Sequence, residues 1–223
     1  TFTKNFSKVI KVADNADQIV IGGLSSMAIV IQKGQPYGSF YAITSERDDK
    51  GNPVVDPATG APVMTSTPQI VGTFAPKWLG SLGTALSYKG LRVSVLFDTR
   101  VGGQFYSATR DLQQFIGTDP LTLYNDREDF VIPNSVYRAS DGSYQPNTTP
   151  VHYQDYWTNF IRQDYANNLV TATYVKLREV AISYSFPKKW LAPTKYISNI
   201  ELNVFGNNLW IWTPKTNTYA DPE

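Results

Sequence analysis

The sequence predicts an all-β fold of antiparallel strands, and the alternation of its side chains is the main evidence. At positions 180–186 the large apolar side chains occupy the even positions, and polar or small side chains occupy the odd ones. The same period of two returns at Ile200, Leu202 and Val204, and again at 82–97. A period of two places the two kinds of side chain on opposite faces of a strand.

The two strongest strands lie within residues 173–212 and are joined by a basic connection at 187–198 that contains two prolines. Tyr174 starts the first strand, and Trp210 and Trp212 end the second. Strands of about 9–11 residues with one apolar face and aromatic ends are typical of a transmembrane β-barrel, where such aromatics form an interfacial girdle. Alternating strands also build soluble sandwiches. The alternation alone is compatible with both architectures.

Composition narrows the class of protein. The chain has 223 residues, a formal net charge of +1 and no cysteine. The balanced charge argues against nucleic-acid binding, and the missing thiols exclude disulfides and thiolate metal sites. No apolar stretch approaches the roughly 18–20 residues of a membrane helix. Because the chain begins with Thr and has no leader pattern, we expect it to start inside a longer product or after processing.

Residues 1–79 are expected to hold strands followed by a turn-rich loop. A mixed strand is predicted at 2–12, a polar turn at 13–17 and a short apolar strand at 26–31. The next stretch is rich in Gly, Pro, Asp and Asn, which predicts a loop with one small hairpin that carries Val54 and Val55. The acidic residues of this loop lack the spacing and terminal Glu of a calcium-binding loop, so no metal site is predicted.

Residues 80–98 contain the clearest hairpin. Leu82, Thr84, Leu86 and Tyr88 alternate with small or polar residues, and so do Leu91, Val93, Val95 and Phe97. Lys89-Gly90 supplies a two-residue turn, in which glycine accepts a positive φ. Outer-membrane barrels have short periplasmic turns and long extracellular loops. By that rule the Lys89-Gly90 turn and the 187–198 connection are expected to be periplasmic.

Residues 99–172 are too long for a structureless loop in a compact domain. Helices are predicted at 106–116 and near 153–165. Aromatic side chains in this segment are suited to stacking on sugar rings or to gripping peptide backbone, and they are equally suited to packing the loops together. The candidate substrate or lid contacts are Tyr106, Tyr124, Tyr144, Tyr153, Tyr156 and Trp157.

Catalysis is not expected. His152 is the single histidine and lies in a predicted loop, where a surface or hydrogen-bonded role is the simpler interpretation. There is no G-x-S-x-G motif for a nucleophile. Acidic pairs such as Asp126 with Asp129, or Asp155 with Asp164, are expected to be solvated loop residues rather than glycosidase carboxylates. We therefore predict a chain that is not an enzyme and has no cofactor and no metal.

Several sequence motifs, which follow one another in a fixed order, are more specific than composition or the alternation of side chains. The runs YVKLREVAISYSFPKKWL, ISNIELNVFGNNLWIWT and YADPE follow one another between 174 and 223. Upstream lie KGQPYGSFY at 33–41 and VGTFAPKWLGSLGTALSYKGLRVSVLFDTRVGGQFY at 71–106. Together they resemble the closing part of the SusC/RagA family, the TonB-dependent outer-membrane transporters of the Bacteroidetes. The resemblance covers most of the chain from about Gln32 onward.

The resemblance implies the C-terminal part of a large antiparallel transmembrane β-barrel with long extracellular loops, a multi-pass protein of the outer membrane. Transporters of this class have about 22 strands around a plugged lumen. They import an oligosaccharide or a peptide, with a SusD-like surface lipoprotein as lid and TonB acting on the plug. Outer-membrane lipid would surround the wall. The plug domain, the TonB-contacting motif and the final strand are expected outside this segment.

The resemblance also implies a division of the chain as a partial receptor barrel, 1–223. Strands and a turn-rich loop are expected at 1–79, a hairpin at 80–98 and a long extracellular loop at 99–172. Two strands follow at 173–212, and a further extracellular loop starts at 213–223. The alternative is a soluble or surface-attached all-β carbohydrate-binding module that buries its apolar face against a second sheet. A third possibility is a glycan-cleaving enzyme that uses acidic loop pairs.

Overall fold

The computed structural model describes residues 1–24, 27–194, 196–217 and 220–222. Its strands, in chain order, are β1 (Phe2–Lys4), β2 (Gln18–Leu24), β3 (Met27–Gln32), β4 (Ser39–Ala42), β5 (Gln69–Thr73), β6 (Trp78–Tyr88), β7 (Leu91–Val101), β8 (Gln104–Tyr106), β9 (Val136–Arg138), β10 (Tyr144–Pro146), β11 (Leu169–Thr171), β12 (Tyr174–Ser185) and β13 (Glu201–Trp212). The α-helices are α1 (Ala108–Phe115), α2 (Tyr153–Asp155), α3 (Ile161–Gln163) and α4 (Lys188–Leu191). A π-helical turn (Tyr156–Phe160) joins α2 to α3, and 3-10 segments occupy Pro120–Arg127, Tyr165–Asn168 and Ala192–Thr194.

The main sheet has the strand order β1-β6-β7-β12-β13, and all of its neighbours are antiparallel. Leu86 pairs with Val93, Val93 pairs with Ile182, and Ile182 pairs with Val204. Directly paired residues point to the same side of a sheet, so these side chains form one apolar row. The period of two predicted from the sequence is confirmed in each of these strands.

The opposite face of the main sheet is polar over most of its area. One of its rows consists of Ser87, Arg92, Ser183 and Asn203, which are paired in the same register. No other layer covers the apolar face within the described part of the chain, where Leu86 is 75% exposed and Val204 is 61% exposed. Large contiguous apolar surface is unusual on a protein that meets only water. The main sheet therefore has two exposed faces of different chemistry.

The turn between β6 and β7 is the predicted two-residue hairpin. Lys89 has φ 47° and Gly90 has φ 90°, so both central residues are left-handed, as a type I′ turn requires. The sequence indicated a positive φ for glycine alone. A Cβ at Gly90 would lie 2.6 Å from the carbonyl oxygen of Ser185. The hairpin thus needs glycine both for its backbone angle and for space beside β12.

Two β-bulges adjust the register in the half of the main sheet where β12 begins and β13 ends. The pairing of β12 shifts between Leu177 and Glu179 against both neighbours, and Asn208 in β13 has φ 52°. Beyond the shift, Leu177 pairs with both Phe97 and Trp210. The bulges therefore keep apolar side chains on one face although the odd and even positions of β12 exchange sides.

A second antiparallel sheet has the strand order β2-β3-β4-β5. The segment after β4 and the long loop 99–172 form a lobe, which completes the fold. Within the lobe, β8 pairs with β11 and β9 pairs with β10. One buried cluster of the lobe consists of Val55, Ala61, Phe130, Ile132 and Val151. The predicted helices are confirmed as α1 and as the segment 153–163. The long loop therefore shares a buried core with the turn-rich segment that contains Val55 and Ala61.

The N-terminal region differs from the prediction. The strand expected at 2–12 is limited to β1, because the Val9 amide donates to Gln35 and the Val9 carbonyl accepts from Gly34, which draws this stretch away from the sheet. The strand β2 was not predicted, since Gly22-Gly23 interrupt its apolar pattern. Ser26, the predicted start of the next strand, and Tyr219 and Glu223 of the closing motif lie outside the described residues. No helix among the described residues has the length and apolarity needed to cross a membrane.

We expect Gly90→Ala to lower the free energy of unfolding more than Gly142→Ala. Both glycines have a positive φ, but a Cβ at Gly142 would meet nothing within 4 Å. The left-handed conformation costs each alanine about 1–2 kcal/mol, and only Gly90→Ala adds the clash with Ser185. The measurement is the denaturant-induced unfolding of the complete protein in detergent. Equal losses in the two variants would contradict the tight turn described above.

Candidate functional site

The lobe stands at the end of the main sheet where β7 ends and β12 begins. Asp164, which is 6% exposed, joins two distant parts of the lobe. Its carboxylate accepts hydrogen bonds from Thr44 Oγ1 at 2.8 Å and from Ser45 Oγ at 2.6 Å. Hydrogen bonds to a charged, buried acceptor are among the stronger ones in a protein. They fix the segment after β4 against the helical segment 153–163.

A groove of about 440 Å³ lies between these elements. Its principal lining residues are Tyr106, Asp111, Asn159, Arg162, Gln163 and Tyr165. The helix α1 supplies Asp111 and begins at a capped turn, in which Ser107 accepts from the Arg110 amide at 3.2 Å. The π-helical turn supplies Asn159, and single π-helical turns are frequent at functional sites.

The groove carries opposite charges side by side. Arg162 Nε lies 3.6 Å from Asp111 Oδ1, and the guanidinium lies 4.4 Å from the centre of the Phe115 ring. Asn168 Nδ2 donates to the same carboxylate oxygen at 3.4 Å. These contacts are long, and the Arg162 side chain is 45% exposed. The guanidinium and the carboxylate can therefore both bind polar groups of a ligand.

Tyrosines form the aromatic wall of the groove. The rings of Tyr106 and Tyr165 lie 6.0 Å apart at an angle of 34°. Burial, followed by the nearby charge of Asp111, raises the pKa of Tyr106 to about 12. Because a phenol with a raised pKa stays protonated near neutral pH, Tyr106 keeps its hydroxyl proton.

The six aromatic residues predicted from the sequence do not form one site. Tyr106 lines the groove, whereas Tyr156 lines a separate cavity of about 200 Å³. Burial, and then the charge of Asp164, raises the pKa of Tyr156. Trp157 is 8% exposed and lies edge-on to Tyr156, with ring centres 5.0 Å apart. These two residues help to pack the lobe, and a substrate contact for them stays a prediction.

The other three predicted residues lie elsewhere on the lobe. Tyr153 packs against the buried cluster and donates its hydroxyl proton to the Thr122 carbonyl. Tyr124 is half exposed and lies edge-on to Phe130. Tyr144 accepts a hydrogen bond from Arg138 on the β9–β10 hairpin. Their contact with a substrate or a lid also stays a prediction.

Sequence reasoning missed the polar residues of the groove. Asp111 and Arg162 lie in the two predicted helices, but nothing in the sequence shows that these helices face each other. His152 is exposed, and its Nδ1 lies 3.1 Å from Asp155, as expected for a surface histidine. Among the described residues there is no group of three or more His, Cys, Asp or Glu that could hold a metal ion.

A second polar cluster lies on the polar face of the main sheet, near the end that carries the lobe. Arg178 Nη2 donates to Asp98 Oδ2 at 2.6 Å, and the Tyr174 hydroxyl donates to the same oxygen at 3.2 Å. The side chain of Lys176 is 3% exposed, and its Nζ lies 2.8 Å from Asp221 Oδ1. The predicted girdle position of Tyr174 is therefore wrong. The bulge at Arg178 places Tyr174 on the polar face.

Comparison with known proteins identifies solved structures with a similar fold. No family model matches the chain, and no curated protein matches it. Solved structures do match. The RagAB peptide importer in its 'closed-closed' state aligns over 96% of this chain with a TM-score of 0.62 and 18% identity. The same importer in its 'open-open' state aligns with a TM-score of 0.61 and 16% identity. The RagAB peptide transporter aligns with a TM-score of 0.60 and 15% identity.

The chain has a SusC/RagA-like fold. It spans 23% of the length of each of these matched chains. The likeness extends over both sheets and the lobe, since nearly the whole of this chain is aligned. The fold expected from the sequence motifs is supported by this comparison of structures.

We expect Trp157→Ala to destabilise the lobe. Removing a buried aromatic side chain costs about 3–5 kcal/mol. Tyr144→Ala is the matched control, because it removes a partly exposed aromatic ring from a surface hairpin. The measurement is the rate of limited trypsin cleavage within residues 99–172 of the complete protein. A cleavage rate in Trp157→Ala equal to that of Tyr144→Ala would contradict a packing role for Trp157.

Proposed function

We propose that this chain forms part of the wall and the extracellular loops of a SusC-like, TonB-dependent importer of the outer membrane. The observation that carries the proposal is the main sheet, which exposes an apolar face on one side and a polar face on the other. The matches to RagAB support the same architecture. No bond is made or broken by this segment, so the proposed role is not enzymatic.

The two faces of the main sheet fit lipid and an aqueous lumen. Leu82, Leu86, Leu202 and Val204 are all at least 60% exposed on the apolar face. The polar face carries the ion pairs of Arg178 with Asp98 and of Lys176 with Asp221. Transmembrane barrels have this arrangement, with apolar side chains toward lipid and polar side chains toward the interior.

Closure of the barrel calls for more strands than this chain contributes. Among the strands that the structure describes, the outer strands β1 and β13 each have one neighbour in the main sheet. An open sheet edge in lipid leaves backbone N–H and C=O groups unpaired, at several kcal/mol each. We propose that the remainder of a longer polypeptide supplies the missing strands, together with a plug on which TonB acts.

The proposed cargo is an oligosaccharide or a peptide. The matched structures are named as a peptide importer and a peptide transporter. The groove offers a guanidinium, a carboxylate and amide groups, which suit the donors and acceptors of either cargo. The likeness to peptide importers favours a peptide as the cargo.

The proposed partner is a SusD-like surface lipoprotein that covers the lobe. Apolar residues at the surface of the lobe would form part of the contact. Four of them are more than half exposed: Leu112, Ile116, Leu121 and Leu123. The alternative, a soluble carbohydrate-binding module, would bury the face that contains Ile182 against a second sheet. The main sheet has no such cover in the described residues, where Ile182 is 44% exposed.

We expect Ile182→Arg to block assembly of the complete protein in the outer membrane, whereas Ser183→Arg leaves assembly intact. An arginine on the lipid face costs about 2–4 kcal/mol at the bilayer centre, and an arginine on the lumen side costs much less. The measurement is the amount of heat-modifiable protein in washed outer membranes. Equal assembly of the two variants would contradict the assignment of the faces.

Extraction of the native protein from cell envelopes tests the importer as a whole. We expect a polypeptide several times heavier than the 24.9 kDa of this chain, bound to a lipoprotein of similar abundance. Cells that lack the gene should lose uptake of a labelled peptide mixture or of labelled oligosaccharides. A soluble chain of 24.9 kDa without a partner would contradict the proposed function.

A further inference from the structure

The end of the main sheet opposite the lobe carries a group of basic and aromatic residues. We name it the turn-end rim, and it consists of Tyr88 and Lys89 from the first turn, and Lys188, Lys189 and Trp190 from the connection after β12. All five side chains are exposed. The Ser185 amide donates to the Gly90 carbonyl at 2.9 Å, so the first turn lies directly beside the start of the connection.

Aromatic rings connect the rim to the apolar face of the sheet. The ring centres of Tyr184 and Phe186 lie 5.0 Å apart at 78°, and those of Phe186 and Trp190 lie 6.4 Å apart. Leu191 is 7% exposed and holds the short helix α4 against the protein, while Trp190 remains 59% exposed. The indole therefore continues the apolar face at its edge. Trp and Tyr prefer this position at a membrane surface.

The positive charge of the rim has no carboxylate partner in the described part of the chain. The ion pairs found there involve other residues, and none includes Lys89, Lys188 or Lys189. Lys89 Nζ lies 5.1 Å from the centre of the Tyr88 ring, which keeps this cation close to the aromatic surface.

Toward the lobe end of the same sheet, Asp221 pairs with Lys176, and Asp98 pairs with Arg178. The three lysines of the turn-end rim have no such carboxylate partner among the described residues.

We propose that the turn-end rim binds the anionic headgroups of phospholipids in the leaflet that surrounds this end of the sheet. The inference rests on the proposed membrane function and adds a lipid-binding surface to it. The lysines would contact the headgroup phosphates, and Trp190 would lie among the glycerol and upper acyl atoms. Each basic side chain close to an anionic membrane surface favours binding about fivefold.

The test uses the complete protein in vesicles of equimolar phosphatidylglycerol and phosphatidylcholine. After re-extraction in detergent, mass spectrometry counts the lipids of each type that remain bound. We expect phosphatidylglycerol to be enriched several-fold on the unmodified protein, and the enrichment to be lost in the double variant Lys188→Gln, Lys189→Gln. The control is Lys50→Gln, Lys77→Gln, which removes the same charge from exposed residues away from the rim.

The outcomes separate the lipid site from the membrane function. Loss of enrichment in the rim variant alone, with insertion unchanged, would support the site. No enrichment on the inserted, unmodified protein, or equal loss in the two double variants, would overturn the lipid site and leave the proposed function intact. Failure of the unmodified protein to insert would instead contradict the proposed function.

Discussion

The shared register of β6, β7, β12 and β13 is the constraint on which the rest of the structure depends. Because side chains alternate along each strand, a slip of one residue in any pair would transfer apolar side chains to the polar face. The rows through Leu86, Val93, Ile182 and Val204 show that no such slip occurs. The type I′ turn at Lys89-Gly90 fixes the first pair, and the bulges at Arg178 and Asn208 correct the phase of the later ones. Two chemically different faces result, and they are the basis of the proposed wall between lipid and lumen.

The two ends of the main sheet have different chemistry, and the difference follows the connections. At the lobe end, hydrogen bonds and ion pairs join the strands to long folded loops. Arg100 Nη2 donates to the Phe74 carbonyl at 2.6 Å, and the Gly102 amide donates to Thr173 Oγ1 at 3.0 Å. At the turn end, short connections expose aromatic rings and lysines. This asymmetry agrees with the proposed membrane function, in which only one end of the sheet would meet partners and cargo.

The strands of the main sheet could be predicted from the sequence because apolar and polar side chains alternate along each strand with few interruptions. Alternation located β6, β7, β12 and β13, and the spacing of apolar residues located the two helical segments of the lobe. The face of Tyr174 could not be predicted, because the bulge at Arg178 changes the phase between Tyr174 and Val180 without any signal in composition. The groove was also beyond sequence reasoning. Asp111 and Arg162 are 51 positions apart by their numbers, and their proximity depends on how the lobe packs around its own core.

The central claim is that one face of the main sheet meets lipid and the other meets water. Spin labels test it directly, since this chain contains no cysteine and single cysteines can be introduced along β12. In the complete protein in bilayers, we predict that labels at Ile182 and Tyr184 are relaxed by oxygen dissolved in the lipid. Labels at Ser183 and Ser185 should instead be relaxed by a water-soluble nickel reagent. A label at Ile182 shielded from both reagents would show a face buried within a protein core and would contradict the account.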